Sequence, residues 1–245
     1  MLRTILCVLY LIWYFIMSLP FILYQETAGR RNPDRRARQT SAFVNMGFRQ
    51  LQACAGMKIT VIGHENVPKD KPVLYICNHR SYFDIVTLFP LTYPVTGFVA
   101  KKQMEKIPLL SNLMRYVHCE FLDRDNIREG MKSILRAIDT VKAGNSMVIF
   151  PEGTRNHGSE LLEFKQGSFK IAERSGCPVV PVAISNADDV FENHMPFVKG
   201  QHIVIEFGKP ILIGDLPQEE KRHIAPYVQG IISDMLHKNS RPIAG

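Results

Sequence analysis

Val73-Leu74-Tyr75-Ile76-Cys77-Asn78-His79-Arg80-Ser81-Tyr82-Phe83-Asp84 is the stretch that decides the fold. Its first five residues are apolar and rich in strand-forming side chains, so Val73–Cys77 reads as a buried β-strand. The polar run after it reads as a turn, and the pattern over Tyr82–Leu88 reads as a helix. A strand that turns directly into a helix is the repeating unit of an α/β domain. It delivers the polar turn residues to the C-terminal edge of the sheet, where such folds carry their sites.

Further strands are expected at Lys58–Ile62, Thr96–Ala100, His118–Leu122, Met147–Phe150, Val179–Ile184 and His202–Phe207, most of them bounded by Gly, Pro or Asn. Between them, Ile127–Ala143 is the clearest helix. Ile127, Met131, Ile134, Leu135, Ile138 and Val141 form one stripe, Asn126 stands at the N-cap and Gly144 follows the end. Helices also fit Gly167–Ser175 and Gln218–His237. The alternation predicts an α/β fold: a mixed, largely buried sheet flanked by helices, forming one catalytic domain over residues 57–245.

The chemistry-bearing residues fall at the predicted strand ends. His79 precedes the helix and Asp84 lies in its first turn. Within one regular helix a five-residue separation would set them about 140° apart at ~100° per residue, so the turn is what lets the carboxylate reach the imidazole. A histidine so held has a fixed tautomer and serves as a general base toward an alcohol. Ser81-x-x-Asp84 also reads as a capping pair for the helix. No G-x-S-x-G elbow and no evident serine or cysteine nucleophile occurs, so a substrate hydroxyl is the expected nucleophile. After Met147–Phe150 comes Phe150-Pro151-Glu152-Gly153-Thr154-Arg155, a tight turn from which Arg155 emerges with a guanidinium suited to a phosphate. Phe121-Leu122-Asp123-Arg124 presents Arg124 either as a second phosphate ligand or as the ion-pair partner of Asp123 or Asp125. Lys101 and Lys102 follow the strand Thr96–Ala100 as a further basic pair.

The N-terminus is of another kind. Thr4 to Gln25 holds no charged residue, and as a helix it would extend about 33 Å, close to the roughly 30 Å of a bilayer's hydrocarbon core. Pro20 is expected to kink or end that helix. Arg30, Arg31, Arg35, Arg36 and Arg38 follow it, against Arg3 alone before it, which places the bulk of the chain on the cytoplasmic side beside anionic headgroups. The apolar run exceeds a signal peptide's h-region, which is about 7–15 residues, and no A-x-A site follows it closely. Phe43, Val44, Gly47, Phe48, Leu51 and Cys54 mark one face of a second helix, so residues 1–56 are read as a membrane-associated helical pair with a basic linker.

The net charge of +7 calls for an anionic partner. The densest basic cluster abuts the apolar helix, which favours a membrane over nucleic acid. The five cysteines are scattered and form no C-x-x-C pair, so neither a zinc cluster nor a disulfide framework is expected. No set of suitably spaced ligands suggests another metal.

Asn78-His79-x-x-x-x-Asp84, Phe121-Leu122-Asp123-Arg124, Phe150-Pro151-Glu152-Gly153-Thr154-Arg155 and Val180-Pro181-Val182-Ala183 occur in an order and spacing that resembles the four motif blocks of the glycerolipid acyltransferases. The likeness is greatest to bacterial 1-acylglycerol-3-phosphate (lysophosphatidic acid) acyltransferases and covers roughly residues 57–210. It implies a bacterial inner-membrane enzyme that transfers a fatty acyl group from acyl-CoA or acyl-carrier protein to the sn-2 hydroxyl of lysophosphatidate, with no further cofactor. It implies His79 as base and Asp84 as its orienter. Lys101, Arg124, Glu152, Gly153 and Arg155 then belong to the lysophosphatidate site, with Arg124 and Arg155 nearest the phosphate. Asn78 and Pro181 are implied in acyl-donor binding or packing, and Pro181 reads equally as a strand-edge proline. Bacterial relatives carry an N-terminal helical pair embedded in one leaflet, which fits residues 4–54. Leu122 stands where isoleucine is common, and Cys119-Glu120 where a glycine often precedes the block. Another lysophospholipid, a lyso-ornithine lipid or glycerol 3-phosphate would be alternative acceptors. A membrane-tethered lipid-binding scaffold is the non-enzymatic alternative.

Overall fold

Seven strands form one sheet: β1 (Lys58–Ile62), β2 (Leu74–Cys77), β3 (Thr96–Lys101), β4 (Glu120–Leu122), β5 (Ser146–Ile149), β6 (Val179–Ser185) and β7 (His202–Phe207). The structure is a computed structural model describing residues 1–93, 95–158 and 160–239, so the end of the expected catalytic domain, 240–245, lies outside the described residues. The helices are α1 (Leu2–Thr27), α2 (Pro33–Ala55), α3 (Phe83–Leu88), α4 (Leu110–Tyr116), α5 (Ile127–Lys142), α6 (Lys170–Ser175), α7 (Gln218–Arg222) and α8 (Ile224–Asn239). Each expected strand is present within two residues of its expected bounds. The largest shift is in β4, because His118 takes a φ of 62°, outside extended backbone.

The strands lie in the order β1-β7-β6-β2-β5-β3-β4. β6, β2, β5, β3 and β4 are mutually parallel, β7 is antiparallel to β6, and β1 is parallel to β7. The sheet is therefore mixed, and five strands end at the same edge. Side chains alternate strictly between its faces. Tyr75, Cys77, Val148, Phe150 and Val182 pack toward α1–α4, while Leu74, Ile76, Met147, Ile149 and Ala183 pack toward α5, α6 and α8. Both faces being covered explains why β2, and β6 up to its last residue Ser185, are continuously apolar rather than alternating.

The N-terminal pair packs as an antiparallel hairpin. Asn32 caps α2 by accepting from the Arg35 amide, Pro33 takes the first helical position, and Gly56 ends the helix at φ 69°. Phe43 stacks on Phe21 at 4.3 Å and on Tyr14 at 5.0 Å, and the bare backbone of Gly47 admits the Tyr14 ring. Cys7, Tyr14 and Ile22 of α1 and Val44, Leu51 and Ala55 of α2 share one core with Tyr75 and Phe207 of the sheet. Residues 1–56 thus adhere to the body of the molecule along their length.

Of the two outcomes expected at Pro20, a kink or an end, the helix does not end there but continues from Leu2 to Thr27. Two expectations are corrected. The helix expected over Gln218–His237 is two, α7 and α8. Pro226 can stand in the first turn of α8, where its missing N–H costs nothing, but in a continuous helix its ring would oppose the carbonyl of Arg222. On α5, Ile127, Met131 and Leu135 are exposed, and Gly130, Ser133, Ala137, Ile138 and Val141 make the buried face. That helix lies so close to β4 that a Cβ on Gly130 would meet the Asp123 carbonyl at 2.8 Å, and Ser133 Oγ donates to the Phe121 carbonyl at 2.8 Å. Only small residues fit that contact.

Gly47→Leu should force the Tyr14 ring off the hairpin and cost about 1–3 kcal/mol. The check is the thermal unfolding midpoint in detergent; an unchanged midpoint would contradict this packing.

Candidate active site

Five parallel strands ending together bring the sequence blocks to one edge. β2 delivers Asn78 and His79, β5 delivers residues 150–155, β3 ends on Lys101, and β4 runs into Asp123 and Arg124. The loop after β6 arrives at the same edge with Asp188 and Glu192, which belong to none of the motif blocks.

His79 sits in the turn rather than the helix, and this resolves the angular problem. Its Nδ1 lies 2.8 Å from Asp84 Oδ2. The same oxygen accepts from the backbone amides of Arg80 at 2.7 Å and Ser81 at 2.8 Å, while Ser81 Oγ accepts from the Phe83 amide at 2.9 Å. The capping and orienting readings of Asp84 are therefore the same interaction. Asp84 is fully buried, and burial holds its carboxyl above the ordinary carboxylate range, opposed by the hydrogen bond and charge of His79 and by the Ser81 and Arg80 amides. The imidazole stacks on Phe150 at 4.1 Å and is the partly exposed member of the pair. Its Nε2 has no hydrogen bond among the described residues.

The loop after β5 grips His79 from behind. The buried Glu152 accepts the His79 amide at 2.7 Å through Oε1 and the Leu162 amide at 3.0 Å through Oε2. Burial raises its carboxyl pKa, against those backbone donors. The His79 carbonyl accepts from the Asn156 amide at 2.8 Å, so both backbone groups of His79 are held by this one loop. Gly153 makes the turn possible at φ 76°, with Lys165 Nζ occupying the space of a Cβ. Asn78 is buried and spends its amide on both backbone groups of Ile184, donating at 2.9 Å and accepting at 2.8 Å, which fastens the turn to β6.

The guanidinium carbon of Arg155 lies over the Tyr82 ring, 3.7 Å from its centre, with Nη2 donating to the Tyr82 hydroxyl at 2.9 Å and Nη1 3.2 Å from Glu192 Oε1. Arg124 and Lys101 are exposed at their strand ends. Asp123 pairs with Lys102 at 2.8 Å and accepts the Asp125 amide, so neither aspartate pairs with Arg124, which has no ion pair among the described residues.

Pro181 is not a strand-edge proline: it lies buried inside β6, opposite Ile76 of β2. Its N faces the same neighbour as its carbonyl, which accepts from Gly208 at 2.8 Å, and there the β6–β7 ladder only begins, at Val182 and Phe207. It stands four residues before the end of β6, about 13 Å at ~3.3 Å per residue, away from His79. A cleft of about 410 Å³ beside β4 also excludes His79; its Lys102, Glu105, Arg115, Glu120, Asp123 and Arg136 are ion-paired with one another. No group of three or more potential metal ligands occurs among the described residues.

Residues 58–185 match the model of the Acyltransferase family. The chain is 30% identical over 206 residues to the 1-acyl-sn-glycerol-3-phosphate acyltransferase of Borreliella burgdorferi, covering 81% of this chain and 80% of that one. It is 26% identical to the Escherichia coli protein of the same name over 243 residues, 99% of this chain and 95% of the other. Its fold is that of the crystal structure of the 1-acyl-sn-glycerophosphate (LPA) acyltransferase, PlsC, from Thermotoga maritima. That likeness has a TM-score of 0.81 at 23% identity and covers 100% of this chain and 97% of that one.

Because the Asp84 carboxyl is raised, the folded chain binds its proton more tightly than the unfolded chain. That contribution is full below the ordinary carboxylate pKa of roughly 3.9 and is lost as pH rises through the folded value. Asp84→Asn carries no such proton, so its unfolding midpoint relative to wild type should improve as pH rises from roughly 3.9 through the folded carboxyl's higher value. A gap that is flat, or moves against the variant, would contradict a burial-dominated carboxyl.

Proposed function

The chain belongs to the acyltransferase family, and from that premise we propose that it acylates the sn-2 hydroxyl of 1-acylglycerol 3-phosphate, giving phosphatidate. The donor is an acyl thioester, acyl-CoA or acyl-carrier protein. The enzyme is an O-acyltransferase, and the reaction balances without a metal or organic cofactor. As the hydroxyl oxygen bonds to the thioester carbonyl carbon, its proton passes to His79 Nε2. When the C–S bond breaks, the imidazolium returns that proton to the leaving thiolate. Asp84 holds the proton on Nδ1 throughout and stabilises the imidazolium.

The observation that carries this reading is the bond from Nδ1 to a buried carboxylate, which leaves Nε2 as the reactive nitrogen at the strand edge. Arg155, Arg124 and Lys101 surround that edge with positive charge, which suits a phosphomonoester anchored beside the reacting hydroxyl. Glu152, Gly153 and Asn78 serve by fixing the backbone around His79, and Pro181 by packing. His79→Ala should lose roughly 10²–10⁴-fold in transfer to lysophosphatidate while remaining folded. Full activity in that variant would instead support the lipid-binding scaffold. Arg155→Ala should mainly raise the acceptor KM, and an unchanged KM would remove Arg155 from the phosphate site.

We further propose that α1 lies along the cytoplasmic membrane surface rather than crossing it. At 26 residues it is roughly 39 Å long, and Leu2, Leu9, Ile12, Ile16, Leu19 and Leu23 are exposed on it. Both its ends are tied to the same body: Thr4 Oγ1 accepts the Val198 amide at 2.9 Å, and Glu26 bonds the Tyr116 hydroxyl. A helix fastened at both ends to one face suits immersion in a single leaflet, about 5–10 Å deep. Trp13, the single tryptophan, lies near the middle of α1. In vesicles it should be quenched more strongly by bromines near the lipid carbonyls than by bromines at the chain ends. The reverse order would indicate a spanning helix.

A further inference from the structure

Glu192 enters the site from a loop that neither the sequence motifs nor the proposed chemistry uses. Its carboxylate is 2% exposed. Oε2 accepts from Ser81 Oγ at 2.6 Å, and Oε1 accepts from the Tyr82 amide at 2.8 Å and pairs with Arg155 Nη1 at 3.2 Å. We infer that Glu192 is a positioning residue that couples the acceptor-phosphate arginine to the turn carrying the general base, an inference that rests on the acyl-transfer reading above.

The coupling rests on the groups that each bond holds. Ser81 and Tyr82 lie between His79 and Asp84, and the Ser81 amide is one of the donors that keep Asp84 Oδ2 beneath the imidazole. Fixing that segment fixes the angle at which Nε2 faces the reacting hydroxyl. At Arg155, the carboxylate and the Tyr82 hydroxyl take one N–H from each terminal nitrogen, while the ring carries the guanidinium face. Three of its five N–H donors stay available for a phosphate. An arginine already immobilised loses little rotamer freedom on binding its anion. A second carboxylate on the same loop, Asp188, pairs with Arg80 at 3.3 Å, so two acidic residues after β6 clasp the turn after β2.

Steady-state acyl transfer to lysophosphatidate, with donor saturating, separates the two halves of this role. Glu192→Ala should lower kcat at least tenfold and raise the acceptor KM about fivefold. Glu192→Gln keeps an oxygen for the Tyr82 amide and an amide for Ser81 Oγ but loses the ion pair. It should recover most of the kcat lost in the alanine variant while leaving KM raised. In the Arg155→Ala background Glu192→Gln should change KM by less than about twofold, because the partner it acts through is gone. The inference is overturned if Glu192→Gln leaves KM at the wild-type value, lowers kcat as far as alanine does, or adds independently to Arg155→Ala. If the alanine variant does not fold, the glutamine arms decide on their own, with kcat then compared to wild type. Arg155→Ala with unchanged KM would defeat the phosphate-site reading itself; a raised KM there, with no effect of Glu192→Gln, would defeat only the role of Glu192.

Discussion

A carboxylate stripped of water must be surrounded by donors, and that requirement organises this molecule. Asp84 directs the imidazole of His79 and two backbone amides at one oxygen, while its Oδ1 has no partner among the described residues. Those amides can reach it only because residues 78–82 form a turn ahead of α3. The turn is in turn held by Glu152 and Asn156 behind His79, by Asn78 against β6, and by Glu192 in front. These supports come from β5 and β6, the parallel strands that flank β2 and end at the same edge, so the sheet order is a precondition of the site.

Much of this was legible in the sequence, for identifiable reasons. Buried strands are short apolar runs between breakers, so β2, β3, β5, β6 and β7 could be read from Val73–Cys77 outward, while the less buried edge strands β1 and β4 were read from their strand-forming residues. The polar residues at their ends then had to share an edge if the strands were parallel. Glu192 was not legible, although its loop leaves β6 at that same edge. It opens a single 3-10 turn, Glu192–His194, too short to show any periodicity, and its partners are 37 to 111 residues away. The stripe on α5 misled because Ile127, Met131 and Leu135 satisfy helical spacing while the tight contact with β4 is made by Gly130 and Ser133. Spacing reports that a helix has faces; which face is buried depends on how near its neighbour lies. Pro181 misled similarly, since whether a proline interrupts a ladder depends on where the adjacent strand starts.

The hairpin and the sheet share a core, which gives the apolar helix a function beyond attachment. Cys7, Tyr14 and Ile22 bury into the same cluster as Tyr75 and Phe207, while the opposite side of α1 stays apolar and exposed. On the proposed reading, that surface meets lipid. A lipid acceptor diffusing in a leaflet could then meet an enzyme whose orientation to that leaflet is set by its own core packing.

If Asp84 fixes the tautomer of His79, Nε2 is free to accept a proton. Nitrogen-15 chemical shifts and long-range nitrogen–proton couplings of His79, in protein labelled at histidine and held in detergent at neutral pH, report this directly. The expected result is a proton on Nδ1 and a bare, pyridine-like Nε2. A proton resident on Nε2 would contradict it.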